Sequence, residues 1–147
     1  MDYQRSGNYY ILRLDAGEEI VTEMKKFCEQ QGIRLGTVQA IGAVNKAIVG
    51  LYDPVAREYH SRLLEGDMEI TSLLGNITTM AGQVYLHLHV NLADAEQHTH
   101  GGHLNKAVVS ATCEAVITVM PGEVERIFDD KIGLNLLAFG REKGSHH

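Results

Sequence analysis

Two histidines in one apolar stretch of the chain have the spacing of metal ligands. His87 and His89 stand two residues apart in the β-type run 83–92. Because side chains alternate across a strand, both imidazoles are expected on one face, roughly 6.7 Å apart along the strand. Ring nitrogens coordinate zinc at about 2.0–2.1 Å, so two rings with this spacing can lean toward one ion. The pair therefore predicts two ligands of a metal site.

A third ligand is expected from the segment that follows, which carries His98, His100 and His103. The glycine pair 101–102 directly precedes His103, and glycine allows a tight turn that would return this side chain over the strand. His98 and His100 are either extra ligands or loop residues. The predicted metal ligands are His87, His89 and His103.

Three histidines with an open fourth position are the pattern of catalytic rather than structural zinc. A divalent metal is the expected cofactor, with zinc as the first choice, although imidazole also suits nickel, copper and iron. Glu96 and Glu114 are candidate general bases, and Asn105 or Lys106 could orient an anionic ligand. The alternative for each of these residues is an ordinary side chain on a solvated surface.

The composition indicates one globular domain and argues against a nucleic-acid-binding protein. The chain has 147 residues, of which 44% are hydrophobic and 22% are charged, as expected for one globular domain. Its formal net charge is -6 and it contains no run of Lys or Arg, which argues against tight binding of nucleic acid by this chain alone. The sequence contains no nucleophile elbow, P-loop or Rossmann fingerprint.

The expected location is the cytoplasm. Cys28 and Cys113 lie in apolar surroundings without the spacing of a zinc motif, and buried free thiols fit a reducing compartment. The start, 1–8, lacks the apolar core of a signal peptide, and no apolar run has the length of a membrane span. The segment 144–147 has the composition of an expression-tag remnant, so its two histidines are not candidate ligands.

One long helix is expected early in the chain, at 17–31, because apolar residues recur there at helical spacing. Asp15 can cap its start with Glu18 as the reciprocal partner, and Gly32 stands where a C-terminal glycine belongs. The rest of the chain predicts mainly strands, with Gly42 at a bend or bulge, and 106–111 also fits a short second helix. A helix followed by antiparallel strands is typical of the α+β class, here as a single domain, 1–143.

Several short segments form a recognisable series along almost the whole chain. The most specific are Leu86–Val90 and Gly101–Leu104, which contain three of the histidines. The others are Arg13–Ile20, Ile41–Val44, Gly50–Pro54, Leu64–Gly66, Leu73–Ile77 and Thr112–Glu114. In this series the chain resembles the plants-and-prokaryotes conserved (PPC) domain family in its stand-alone prokaryotic form.

The resemblance implies an α+β fold around an antiparallel sheet, assembly as a homotrimer, and metal binding by His87, His89 and His103. His98 and His100 are not part of the family's usual pattern. Plant members bind DNA through an AT-hook, and the Arg-Gly-Arg-Pro hook does not occur in this sequence. The fold is also similar to that of α-acetolactate decarboxylase, which holds zinc with three histidines.

Three functional hypotheses follow. The first is a homotrimeric metal-binding module with a regulatory or ligand-binding role, in a family associated with DNA-binding proteins. The alternative is a small zinc-dependent metalloenzyme, a lyase or hydrolase acting on a small carboxylate or carbonyl compound, so enzymatic activity is left open. The third is direct DNA binding. The expected partners are other copies of the chain, with a small-molecule ligand as a further candidate. No membrane is expected as a partner, and binding of nucleic acid is not expected from this chain alone.

Overall fold

The computed structural model describes residues 1–140 of the chain. Within this range the chain forms one helix and eight strands, most of them antiparallel neighbours in one sheet. The elements are β1 (Asp2–Ser6), β2 (Tyr9–Asp15), α1 (Ile20–Gln31), β3 (Gly36–Asp53), β4 (Glu58–Met80), β5 (Gln83–Ala93), β6 (Thr99–Val119), β7 (Glu125–Asp129) and β8 (Leu134–Ala138). The expected architecture, mainly antiparallel sheet with one early helix, is confirmed. The predicted tag remnant at 144–147 lies outside the described residues.

The sheet runs in the order β1-β2-β6-β3-β4-β7-β8. Strand β5 pairs with β4 along one edge and with β6 along the other, which joins β3, β4, β5 and β6 into a closed circuit of antiparallel pairs. The one parallel pairing in the described sheet is a single contact between Thr79 of β4 and Glu125 of β7. The closed circuit holds the two halves of β6 in different surroundings, one half beside β2 and the other beside β5.

Helix α1 buries one face against the sheet, mainly on β5 and β6. Its buried residues are Ile20, Met24, Phe27 and Cys28. These side chains join the inward-facing residues of the strands in one continuous apolar core. Both cysteines are free and buried, as the sequence predicted, and burial raises the pKa of the Cys28 thiol to about 12. Within the described residues, no helix has the length and apolar character that a membrane crossing requires.

The helix begins later than its sequence pattern predicts. Glu19 is the N-cap, because its carboxylate accepts the backbone N–H groups of Val21 and Thr22. Asp15 instead ends β2, although its N–H still donates to the Glu18 carboxylate in the expected reciprocal bond. Sheet pairing of β2 with β6 therefore takes precedence over the earlier capping signal. The C-terminal end is confirmed, since Gly32 has a left-handed φ of 67° directly after the helix.

The predicted second helix at 106–111 is wrong, because this segment lies inside β6. Its backbone is paired on one side with β3, where Ala107 stands opposite Ala47. On the other side the N–H of Val109 donates to the carbonyl of Glu18. Backbone hydrogen bonds on both sides hold this segment extended, and its valines suit a strand.

Strand β3 runs from Gly36 to Asp53 without a break, because bulges bend it and do not end it. Its register against β4 shifts around Gly42 and between Val44 and Lys46. Gly42 has a φ of 152°, and a side chain there would collide with the backbone at Thr112. The expected bulge at Gly42 is confirmed, and it turns β3 without ending it.

We expect Gly75→Ala to lower the free energy of unfolding by about 1–3 kcal/mol, since a methyl group there would press on the carbonyl of His87 and the side chain of Leu88. Gly140→Ala is the matched control, because no atom of residues 1–140 lies within 4 Å of the position that its methyl group would occupy. Urea unfolding followed by circular dichroism measures both. Equal stability of the two variants would contradict this account of how β4 holds β5.

Candidate metal centre

Pairing between β5 and β6 brings the three predicted histidines together. His87 and His89 lie on β5, and His103 of β6 stands directly opposite His89 in the antiparallel register. Residues that face each other across such a pair share one face of the sheet, so all three rings project from the same side. The inward face of β5 carries Leu88 and Val90, which are buried in the core as the alternation predicted.

The route that brings His103 to the site differs from the expected loop. The segment from Thr99 onward is the first part of β6 rather than a loop, and neither Gly101 nor Gly102 has a positive φ. Their role is close packing, because a side chain on Gly101 would meet the carbonyl oxygen of Val90 at 2.8 Å. A side chain on Gly102 would meet the carbonyl oxygen of Gly50 at 2.6 Å. The glycine pair thus lets three strands approach one another beside His103.

The ring nitrogens of the three histidines converge on one point. One nitrogen from each ring lies within 4.8 Å of the others, and the Nε2 atoms of His87 and His89 are 3.2 Å apart. Two ligands of a tetrahedral ion at zinc–nitrogen distances are about 3.3–3.4 Å apart. The donor set and its spacing therefore fit a zinc-type ion with small adjustments of the side chains.

Burial favours the neutral form of two of the three imidazoles, those of His87 and His103. Burial, with the positive charge of Arg126 as a further cause, lowers the pKa of His87 to about 4. Burial also lowers the pKa of His103, and the neighbouring ring of His89 adds to this effect. Neutral imidazole is the form that coordinates a metal, so these rings need not lose a proton at neutral pH to bind one.

The histidine cluster opens on one side into a cavity of about 620 Å³. Much of its wall is apolar or aromatic, and it includes Leu51, Tyr52, Tyr59, Tyr85, Leu134 and Leu136. The polar side chains that line it, apart from the histidines and tyrosines, are Arg126 and Asn135. Among the described residues, no aspartate or glutamate lines this cavity. The volume is in the range of small-molecule sites, about 300–1,000 Å³.

The candidate general bases lie away from the cluster. Glu96 belongs to a turn in which its backbone N–H donates to the carboxylate of Asp94. Glu114 lies on β6 beside Ile11 and Ile41, in a separate depression of the sheet. Neither carboxylate reaches the cavity of the three histidines, so a general-base role at that cluster has no geometric support for either residue.

His98 and His100 also belong to the turn at Asp94. The Nε2 atom of His100 is 3.0 Å from the Asp94 carboxylate, and the backbone N–H of His98 donates to the same side chain. These contacts lower the pKa of Asp94, with the His100 contact as the largest cause. The described residues contain one histidine group with convergent nitrogens, and neither His98 nor His100 is part of it.

Tyr59 supports the cluster from β4, and the sequence offered no signal for it. Its ring packs edge-on against the ring of His103, with centroids 5.9 Å apart. Its hydroxyl donates to the side-chain oxygen of Asn105, and burial raises the pKa of Tyr59, so the hydroxyl keeps its proton at neutral pH. Asn105 therefore positions Tyr59 in this structure, whereas the exposed Lys106 lies outside the cavity lining.

Arg126 was likewise not identified from the sequence. It lies on β7, more than twenty residues beyond the last predicted ligand, and no local motif surrounds it. Only the pairing of β7 with β4 and β8 brings it to the cavity. Asn135 of β8 reaches the same cavity. The C-terminal hairpin therefore builds one wall of the site.

Solved structures of other proteins share this fold over nearly their whole length. A protein from Bacteroides thetaiotaomicron, provisionally named as DNA-binding, is 32% identical with a TM-score of 0.92, over 94% of this chain and 96% of that one. A metal-containing protein from Archaeoglobus fulgidus is 35% identical with a TM-score of 0.85, over 95% of this chain and 99% of that one.

Sequence comparison adds a longer relative and a family. The bifunctional protein GlmU of Synechococcus sp. (strain JA-3-3Ab) is 33% identical over 110 residues, which are 74% of this chain and 16% of the relative. The chain thus spans about a sixth of the length of that curated relative. The profile of the Plants and Prokaryotes Conserved (PCC) domain matches residues 1–121. The chain therefore belongs to the Plants and Prokaryotes Conserved domain family, the family that its sequence segments resemble.

Proposed function

We propose that this chain is a metal-binding module that holds a divalent ion, zinc as the first candidate, through His87, His89 and His103. The observation that carries the proposal is the convergence of three imidazole nitrogens within 4.8 Å of one another. The metal-containing relative from Archaeoglobus fulgidus, which has the same fold, supports it. When bound, the ion would supply a Lewis acid that attracts an oxygen ligand from the adjoining cavity.

The residues around the cluster suit the binding of a small molecule. Tyr59 and Asn105 form a hydrogen-bonded pair beside His103, and this pair limits the movement of the ring. Leucine and tyrosine side chains line the cavity, so an apolar group would be shielded from water there. A regulatory module that senses a small ligand through the metal is therefore the first function we propose.

A small metalloenzyme is the second candidate, and the open side of the cluster favours it. A lyase or hydrolase on a small carboxylate or carbonyl compound would use a cavity of this size and a metal with a free position. The lack of a carboxylate in the described cavity lining weakens the hydrolase variant, because water activation needs a base within hydrogen-bond reach. We therefore place ligand binding before hydrolysis.

We also propose self-association as a homotrimer through the outer face of the sheet. This face presents Ile11, Ile41, Leu74 and Val116 side by side, and the side chains of Ile41 and Leu74 are 57% and 56% exposed. Contiguous exposed apolar side chains of this kind mark protein–protein contacts. Leu74 stands directly opposite His89 in the sheet, so the proposed contact surface adjoins the metal cluster.

We expect His89→Ala to abolish metal retention and His60→Ala to leave it unchanged. His60 is the matched control because its exposed ring lies near Glu58 and outside the cluster. Inductively coupled plasma mass spectrometry of protein lacking 144–147 should find about one ion per chain in the wild type and in His60→Ala. Equal metal content in the two variants would contradict the proposed ligands.

We expect the wild-type chain to be a trimer by size-exclusion chromatography with multi-angle light scattering. Ile41→Glu should shift it to smaller species, because a charge would be buried in the proposed interface. Val55→Glu is the control, since Val55 is exposed in the turn between β3 and β4, outside that face. A monomeric wild type, or dissociation by both variants alike, would rule out this interface.

We expect no selective binding of duplex DNA at physiological salt. The net charge of -6 offers little neutralisation of phosphates, so the dissociation constant should be no tighter than the non-specific range, about 10⁻⁴–10⁻⁶ M. Fluorescence anisotropy with an A·T-rich duplex and a mixed-sequence duplex measures this. Submicromolar affinity for either duplex would make DNA binding the leading function.

A further inference from the structure

The cavity beside the histidines contains a buried cation. Arg126 lines this cavity, and its side chain is only 6% exposed. Its guanidinium donates from Nε to the hydroxyl of Thr78, from Nη1 to the carbonyl of Asn135, and from Nη2 to the side-chain oxygen of Asn76, each at 2.9 Å. The ring of Tyr85 lies against it, with its centroid 4.9 Å from the guanidinium carbon. These contacts hold the guanidinium in one orientation.

None of these partners carries a negative charge. No aspartate or glutamate between residues 1 and 140 forms an ion pair with Arg126. Three of the five N–H groups of a guanidinium are used, which leaves two donors without a protein acceptor in this region. A buried charge is costly unless it is paired, and burial lowers the pKa of Arg126. The cavity therefore offers an anionic ligand an unpaired positive charge and two free N–H donors.

We infer that Arg126 binds the carboxylate of a small organic acid whose other end lies toward the histidine cluster. This inference rests on the proposed function, since the metal would be the second positive centre of the same cavity. A planar guanidinium with free N–H groups matches a carboxylate in geometry and charge. The leucine and tyrosine walls suit the carbon skeleton of such an acid better than they suit inorganic phosphate.

The anion-binding residue lies outside the segment that defines the family. The family profile matches residues 1–121, whereas Arg126 and Asn135 belong to the hairpin of β7 and β8. The histidines and the carboxylate-binding group therefore come from separate parts of the chain. A change in the hairpin alone would alter which ligand is accepted and leave the histidine cluster intact.

Isothermal titration calorimetry with acetate, butyrate, malonate, glutarate and adipate tests this inference on metal-free and zinc-loaded protein. Arg126→Met should weaken the binding of the best of these acids roughly 10- to 100-fold, because a hydrogen bond to a charged group is lost. Arg62→Met is the matched control, since Arg62 is exposed and does not line this cavity. The zinc content of both variants, measured in parallel, should equal that of the wild type.

A comparison of two ligands on the wild-type protein tests the inference even if Arg126→Met misfolds. Butyramide, the neutral analogue, should bind the wild type at least about tenfold more weakly than butyrate, because it lacks the charge that Arg126 would pair with. Arg126→Lys keeps the charge without the planar fork and should fall between the wild type and Arg126→Met.

The outcomes separate this inference from the metal proposal. Equal affinity of Arg126→Met and wild type for the acids, or no binding of any acid, would overturn the inference while zinc binding stands. Tighter binding of inorganic phosphate than of every acid would overturn the assignment of a carboxylate ligand. A wild type that binds no zinc would refute the metal proposal, and the metal-free titrations would then decide the role of Arg126 alone.

Discussion

The double pairing of β5 is the interaction on which the site depends. One edge of β5 is bonded to β4 and the other to β6, so the strand that carries His87 and His89 cannot shift its register without breaking two ladders. A slip of one residue would send both rings into the core and Leu88 outward, at the cost of the buried leucine. The same pairing sets His103 opposite His89. Backbone hydrogen bonds between the strands thus fix the relative positions of the three histidines, whose side chains make few hydrogen bonds of their own.

The charges that line the cavity, and not its apolar walls alone, determine which ligands it suits. Three imidazoles and a buried guanidinium line one space, and no carboxylate of residues 1–140 lines it with them. A cation bound at the histidines would therefore add to the positive potential of Arg126. An anionic ligand would satisfy both centres at once, which couples the occupancy of the proposed metal site to that of the ligand site. Such coupling suits a sensing module as well as an enzyme.

The two faces of the sheet differ in what they contact. Helix α1 covers one face and buries Phe27 and Met24 there, as part of the apolar core. The other face carries the histidine cluster together with exposed apolar side chains such as Ile41 and Leu74. Because Leu74 stands opposite His89, assembly through this face would bring a neighbouring copy close to the cavity. Self-association and ligand access would then depend on each other.

The sequence by itself determined what alternation and spacing can encode. The common face of His87 and His89, the buried thiols, the glycine that ends the helix and the bulge at Gly42 all follow from local pattern, because each depends on a few neighbouring residues. The tertiary structure decided what depends on distant pairing. The segment 106–111 is a strand because its backbone bonds to β3 and to Glu18. His103 reaches the site through the register of β6 against β5, and no turn is involved. The tertiary structure also brought Arg126 to the histidines through the C-terminal hairpin, and no local pattern encodes a contact between segments so far apart along the chain.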